Sequence, residues 1–259
     1  INDLAVGGAI PLYLSCGMII EEGFKVEDLR RIVQSMKQTA DAAGVRIVTG
    51  DTKVVHKGAA DKLFINTAGI GVIPAGIEIG AHRAQPGDVV ICNGYIGDHG
   101  AAIVDARGEL AIENTIQTDC ATLSGLIQAM LAVCPDIHCM RDATRGGIAT
   151  VLNEFAQSSG CAIRIEETRI PIRNEVRGMC EILGLDPLYL ANEGKVIALV
   201  PAAHSDAVLK AMRAHPTGKD SVIIGEVVAD PAGRVIITTG FGGDRIVDML
   251  VGEQLPRIC

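Results

Sequence analysis

Residues 138–166 read HCMRDATRGGIATVLNEFAQSSGCAIRIE. The pattern predicts a short strand over His138–Met140, a helix from about Gly146 to Gln157 and a strand over Ala162–Glu166. The alternation continues on both sides. Val89–Cys92 is a buried-type strand, and Gly97–Asp105 and Ala121–Val133 have helical spacing. Downstream, Asn174–Leu183 and Ala203–Ala214 read as helices, and Val196–Val200, Val222–Val227 and Val235–Thr239 as strands. A last helix is expected near Arg245–Leu250. Such alternation argues an α/β protein. Upstream, Val26, Leu29, Ile32, Val33, Met36, Ala40 and Ala43 recur at helical spacing before Gly44, and strands are expected at Val45–Thr49 and Leu63–Val72. Residues 74–88 are rich in Pro and Gly and mark a boundary between two domains.

The composition suits buried strands: 48% of the 259 residues are hydrophobic, 3% are aromatic and none is Trp. A net charge of −8 argues against nucleic acid and anionic membranes as partners. No apolar run approaches the ~18 residues of a membrane span. Eight cysteines stand at positions 16, 92, 120, 134, 139, 161, 180 and 259. In a chain with no secretory pattern they read as reduced thiols of a cytoplasmic protein. Cys134, His138 and Cys139 lack the ligand spacing of a zinc ribbon. The chain opens on Ile1 rather than Met, so the expectation is that it starts part-way through a longer protein.

Polar islands interrupt this apolar background. Asn2-Asp3 is either a helix cap or a ligand for a cation. Gly50-Asp51-Thr52-Lys53 sits between apolar runs; it is a hairpin, a bulge or a site in which Asp holds Mg²⁺ while Thr and Lys meet phosphate. Arg141-Asp142-Ala143-Thr144-Arg145-Gly146-Gly147 places two glycines at a helix start, where exposed N–H groups suit an anion and two arginines reinforce it. Asn192-Glu193-Gly194-Lys195 precedes a buried strand; Glu193 is a candidate base or a solvated turn residue. Gly94–Gly100 resembles a loose glycine-rich phosphate loop but lacks the third glycine of the dinucleotide fingerprint, and His99 is equally a candidate local cap. The chain ends Pro256-Arg257-Ile258-Cys259. Pro256 keeps the tail from being helical, and nine extended residues span at most ~30 Å, so the end resembles a short tether with a thiol at its tip.

In this order, Asn-Asp-Leu-Ala-Val, Gly-Asp-Thr-Lys-Val-Val, Gly-Asp-His-Gly, Arg-Asp-Ala-Thr-Arg-Gly-Gly, Ala-Asn-Glu-Gly-Lys and Pro-Arg-Ile-Cys resemble the HypE family of hydrogenase maturation factors over essentially the whole chain. That family is the carbamoyl dehydratase of [NiFe]-hydrogenase assembly, within the superfamily of aminoimidazole ribonucleotide synthetase. The resemblance implies a two-domain architecture with mixed sheets. It implies that a thiol carbamoylated by the carbamoyltransferase HypF is dehydrated with ATP to a thiocyanate, whose cyano group passes to iron held by the HypC–HypD complex. By position, Cys259 matches the modified thiol, and Lys53 and Glu193 match residues near the dehydrating group. Asp3, Asp51 and Asp142 match acidic positions that hold Mg²⁺-ATP, and Thr52, Arg141 and Arg145 are phosphate contacts. A homodimer paired through strands of the N-terminal domain is also implied.

The family carries a further N-terminal segment with an acidic nucleotide-binding motif, and this chain departs from the pattern there. The ATP site is therefore expected to be incomplete. The expected division is an ATP-binding and dimerisation domain at 1–78, an α/β domain at 79–250 and a flexible tail at 251–259. Two alternatives stay open: another ATP-dependent synthetase of the superfamily, which has no use for a terminal thiol, and a non-catalytic carrier of the cyano group.

Overall fold

The computed structural model describes residues 1–108, 116–250 and 252. The chain starts with helix α1 (Asn2–Val6), strand β1 (Ile10–Glu21), helix α2 (Val26–Ala42) and strands β2 (Arg46–Val55) and β3 (Leu63–Val72). These strands form a sheet in the order β2-β1-β3, with β1 parallel to β2 and antiparallel to β3. After residues 73–87 come β4 (Asp88–Cys92), α3 (Asp98–Ala106), α4 (Ser124–Val133), β5 (Cys139–Asp142), α5 (Gly147–Ser159), β6 (Ala162–Glu166) and α6 (Asn174–Leu183). The chain continues through β7 (Val196–Pro201), α7 (Ser205–Ala214), β8 (Val222–Val228), β9 (Val235–Thr238) and β10 (Asp244–Ile246). The second sheet runs β10-β9-β6-β8-β4-β7-β5, and only β6–β9 is a parallel pair in it. The α/β class with mixed sheets holds.

Strand β7 shows how the larger sheet is covered on both faces. Val196, Ile197, Ala198, Leu199 and Val200 are all inaccessible to solvent, because alternate residues point to opposite faces. Ile197 and Leu199 join a core with Ile148, Leu152 and Phe155 of α5. Val196, Ala198 and Val200 join a second core with Leu126, Ile127 and Met130 of α4 and Val208 and Met212 of α7. Burying each large apolar side chain contributes roughly 1.5–3 kcal/mol. Ala5 and Val6 of α1 also lie in the second core, so the start of the chain is packed onto the larger sheet.

Four local readings change. Residues 10–21, given no element by pattern, form β1. Strand β2 continues through Gly50–Val55 instead of ending at Thr49. It needs glycine at 50 because a Cβ there would stand 2.1 Å from the Cys16 carbonyl oxygen. Helix α4 starts at Ser124 rather than Ala121, since the Ala121 carbonyl and the Leu123 N–H are bonded to the Asn2 side chain, each at 2.9 Å. The expected helix at Arg245–Leu250 is absent, and β10 begins at Asp244. Its side chains are held outward: Asp244 accepts from Thr238 at 2.8 Å and from Arg164 at 2.6 Å, and Arg245 donates to Asp186 at 2.8 Å. Cross-element bonds of this kind override a weak local propensity.

Phe155 is the largest fully buried side chain of α5. Phe155→Ala is expected to cost about 3–5 kcal/mol, from lost transfer energy and the cavity left behind. A denaturant midpoint within error of the parent would show that α5 is not a principal support of this core.

Candidate active site

A cavity of about 1300 Å³ opens between α1, the C-terminal half of α2 and the turn from β5 into α5. Asp3, Arg141, Asp142, Arg145 and Glu193 all line it. Three of the polar islands are thereby gathered although Asp3 and Arg141 stand 138 positions apart in the chain and Arg141 and Glu193 stand 52 apart.

The β5–α5 turn builds one wall. Gly146 and Gly147 both have positive φ, at 70° and 60°, a region open to glycine at little cost. A Cβ on Gly147 would also meet the Leu188 and Leu190 carbonyl oxygens at 2.4 and 2.7 Å. This tight turn opens the thirteen-residue helix α5 beside the cavity, where Gly146 and Thr150 line the wall. The Thr150 hydroxyl oxygen is buried with no hydrogen-bond partner. A helix start, an unpartnered hydroxyl and Arg145, which has no ion pair among the described residues, form a receptor for anionic oxygens. Arg141 is partly committed, at 2.9 Å from Glu154.

The opposite wall is the loop before β7. Asn192 is buried. It donates to the Ala143 and Leu190 carbonyls at 2.9 and 3.0 Å and accepts from the Gly97 N–H at 2.8 Å. It thus ties the β5–α5 turn, its own loop and the start of α3 together. Asp119, which no motif singled out, holds the next residues. Its Oδ1 accepts from the Glu193 N–H at 3.0 Å. Its Oδ2 lies 2.9 Å from Lys195 Nζ, a contact that is ionic but not aligned as a hydrogen bond. Gly194 is required where it stands, since a Cβ would sit 2.1 Å from the Asp119 carbonyl oxygen. The sequence signal for Asp119 was the polar triplet Gln117-Thr118-Asp119 ahead of an apolar helix, which on its own resembles an ordinary loop.

Glu193 therefore faces an acidic neighbourhood. Burial pushes its carboxyl pKa up, and the charges of Asp119, Asp142 and Asp3 add to the rise. A base with a raised pKa is a better proton acceptor at neutral pH, provided it is ionised. Asp3 and Asp142 have no ion-pair partner among the described residues. No group of three or more His, Cys, Asp or Glu able to hold a metal occurs among those residues. Two hard carboxylates facing a cavity suit Mg²⁺, which keeps waters and shares its remaining positions with phosphate oxygens.

Other expected residues lie elsewhere. Asp51, Thr52 and Lys53 do not line the cavity. They stand exposed on β2, opposite Gly17, Met18 and Ile19 of β1. The hairpin or bulge reading of this island gives way to a regular strand. Asn2 and Asp3 lie within α1, where no side chain caps the helix. Cys259 and the tail over 253–259 lie outside the described residues. The seven described cysteines are all free thiols.

The fold and this cavity define the class. Residues 1–73 match the family described as AIR synthase related protein, N-terminal domain, and residues 85–238 match its C-terminal domain. Within that class the chain belongs to the HypE family of carbamoyl dehydratases. The carbamoyl dehydratase HypE of Rhodobacter capsulatus is 59% identical over 259 residues, which is 100% of this chain and 76% of that protein. A crystal structure of hydrogenase maturation protein HypE in complex with ATP superposes with a TM-score of 0.95 at 46% identity, covering 100% of this chain and 78% of the other. A HypE from a HypE–HypF complex gives a TM-score of 0.92 at 48% identity, covering 95% and 80%.

The raised pKa of Glu193 has a consequence for stability. A carboxyl that binds its proton more tightly folded than unfolded lowers stability as pH rises through the window between the two values. Glu193→Gln is expected to melt above the parent at neutral pH, with the gap closing by about pH 4. Scanning calorimetry across that range tests this, and a gap that does not change with pH would remove charge burial as the cause.

Proposed function

We propose that this protein uses ATP to dehydrate a carbamoyl group on Cys259 to a thiocyanate, the source of cyanide ligands for the iron of [NiFe]-hydrogenase. The observation that carries the reading is the placement of Glu193, half-buried and pressed by three acidic neighbours, beside an anion receptor in one cavity. An amide oxygen is a poor leaving group, and phosphorylating it lets it depart as phosphate. Glu193 removes N–H protons as the carbon–nitrogen triple bond forms. Thr150, Arg145, Arg141 and the α5 N-terminus receive the phosphates of ATP. Asp3 and Asp142 would hold Mg²⁺, which supplies charge neutralisation between phosphates.

HypF is assigned as the donor of the carbamoyl group, in line with the relative solved with HypF, and HypC–HypD as the acceptor of the cyano group. The division at 1–78, 79–250 and 251–259 is kept as the working domain assignment. A cytoplasmic location fits free thiols and the finding that no helix among the described residues is long and apolar enough to cross a membrane.

The chain is further assigned as a homodimer. On one face of the small sheet, Tyr13 pairs with Ile70 and Ile19 pairs with Phe64, and these four are 40%, 65%, 44% and 54% exposed. A continuous apolar face of this kind marks an interface. A second copy of the same sheet is self-complementary to it, as a two-fold contact requires. Asp51 and Lys53 share that face through their pairing with Gly17 and Ile19. Any part Asp51 and Lys53 take in metal or dehydration chemistry therefore depends on the second copy, whereas Thr52, paired with Met18, points to the other face of the sheet. Phe64→Asp is expected to yield a monomer in sedimentation with little change in the fold; a dimer that persists would place the interface elsewhere.

The function is tested on the C-terminal peptide by mass. Carbamoylation adds about 43 Da to the free thiol and the nitrile about 25 Da, by atomic composition. Glu193→Gln should be carbamoylated normally and form nitrile roughly 10²–10⁴-fold more slowly. Cys259→Ser should form none, because alkoxide is a far poorer leaving group than thiolate. Normal hydrogenase maturation with Cys259→Ser would overturn the reading.

A further inference from the structure

A second cavity, of about 510 Å³, is enclosed by the turn after β4, the starts of α3 and α6, the segment before α4 and the turn between α7 and β8. Its size is that of a small-molecule site, roughly 300–1000 Å³. Asp3, Arg141, Asp142, Arg145 and Glu193 do not line it. Two buried carboxylates do: Asp98 and Asp119, with side chains 7% and 3% exposed. Each is only half engaged. Asp98 Oδ2 accepts from Arg173 Nε at 3.0 Å, while its Oδ1 is buried without a hydrogen-bond partner among the described residues. Asp119 Oδ1 accepts the Glu193 N–H at 3.0 Å, while its Oδ2 has the ionic contact with Lys195 and no hydrogen bond. A buried carboxylate oxygen that lacks a donor is costly, and here two of them belong to one cavity.

The chemistry of these groups narrows what fits. An ionised carboxylate accepts hydrogen bonds and donates none, so the donors must come from the ligand. An anion would be repelled by both carboxylates. A bare metal ion fits no better. Lys195 Nζ already places a positive charge 2.9 Å from Asp119 Oδ2, hard cations want six or more oxygens, and no group of three or more His, Cys, Asp or Glu able to hold a metal occurs among the described residues. What remains is an organic cation with N–H donors. The charge balance agrees, since four carboxylates and three cationic side chains line the cavity and its own ion pairs leave it net negative. Burial pushes the Asp98 pKa up, and the hydrogen bond from Arg173 opposes that shift; a further positive charge offsets the same burial cost.

We propose that this cavity is a binding site for a small organic cation with a guanidinium head. Such a head is planar and carries N–H donors along several edges, so it can serve acceptors that come from different elements. It is also more weakly hydrated than an ammonium, which eases its entry into a partly buried site. The wall already accommodates one group of this kind, since the Arg173 guanidinium lies 4.2 Å from the centroid of the Tyr95 ring while it donates to Asp98. At the rim, Lys219 and Asp220 are exposed and set the field that a cation meets as it enters. The site needs neither ATP nor the tail, and the inference stands apart from the dehydration proposed above.

The test is direct binding to the full-length protein, followed by calorimetry at constant ionic strength. The probes are methylguanidinium, its neutral counterpart methylurea and methylammonium, all small enough to enter. Methylguanidinium is expected to bind saturably at one site per chain, and the other two about 10-fold or more weakly. Asp98→Asn keeps the shape of the wall and replaces an acceptor oxygen with a donor, and should weaken methylguanidinium about 10-fold or more. Two rim variants carry the test if Asp98→Asn does not fold, because they alter exposed side chains only. Asp220→Lys should weaken binding and Lys219→Glu should tighten it, each about 3-fold. Asp3→Asn, in the larger cavity, should leave the affinity as it is. Absence of saturable binding, or equal binding of methylurea, would overturn the site. Equal binding of methylammonium would overturn the guanidinium assignment. An affinity that ignores both rim variants, or that falls with Asp3→Asn, would place the cation elsewhere and overturn the proposal as well.

Discussion

The ion pair between Asp119 and Lys195 holds the site in its shape. The two charges stand 2.9 Å apart on side chains that are 3% and 12% exposed. Removing one partner from so buried a pair typically costs 3–5 kcal/mol, because the other is left charged and dry. The pair fastens the loop before β7 to the segment before α4, and Asp119 then receives the Glu193 N–H. Glu193 is thereby fixed by its backbone. The same loop divides the 1300 Å³ cavity from a second one of about 510 Å³, which Asp119, Gly194 and Lys195 line on the other side.

Charge around Glu193 is unbalanced. Asp3, Asp119 and Asp142 all raise its pKa, and Lys195 is already spent on Asp119. An acidic cluster of this kind is relieved when a cation or a cationic complex enters. The α5 start, Arg145 and the unpartnered Thr150 hydroxyl offer positive potential a short way along the same wall. A ligand carrying both phosphate and divalent metal answers both halves at once, which neither a bare anion nor a bare cation does.

The small sheet obeys a different constraint. Every residue of β2 from Arg46 to Val54 is exposed, and β3 is exposed along most of its length. Such strands cannot draw their stability from a core of their own. Helix α2 covers part of one face, while Tyr13, Ile19, Phe64 and Ile70 leave the other apolar and open. A surface of this character is stable when another surface covers it. This ties the state of assembly to the fate of Asp51 and Lys53.

Much of this was legible along the chain. Strand Ala162–Glu166 and helix Asn174–Leu183 lie where their patterns place them, because the alternation of Ile163, Arg164, Ile165 and Glu166 or a helical stripe ending at Gly184 is a local property. Arg141, Asp142, Arg145 and Glu193 were visible as polar interruptions of buried runs, and such interruptions are costly unless they are used. The tertiary structure alone decided the rest. It brought Asp3 to Glu193 by packing α1 on the larger sheet, and it raised Asp119 from an ordinary loop residue to the partner that holds Glu193. It also set His99 4.0 Å from that carboxylate and left Asp51, Thr52 and Lys53 on an open strand. Local pattern records which face of an element meets a core; which distant charges then meet each other depends on how the covered sheets and helices close together, and no short window of sequence contains that distance.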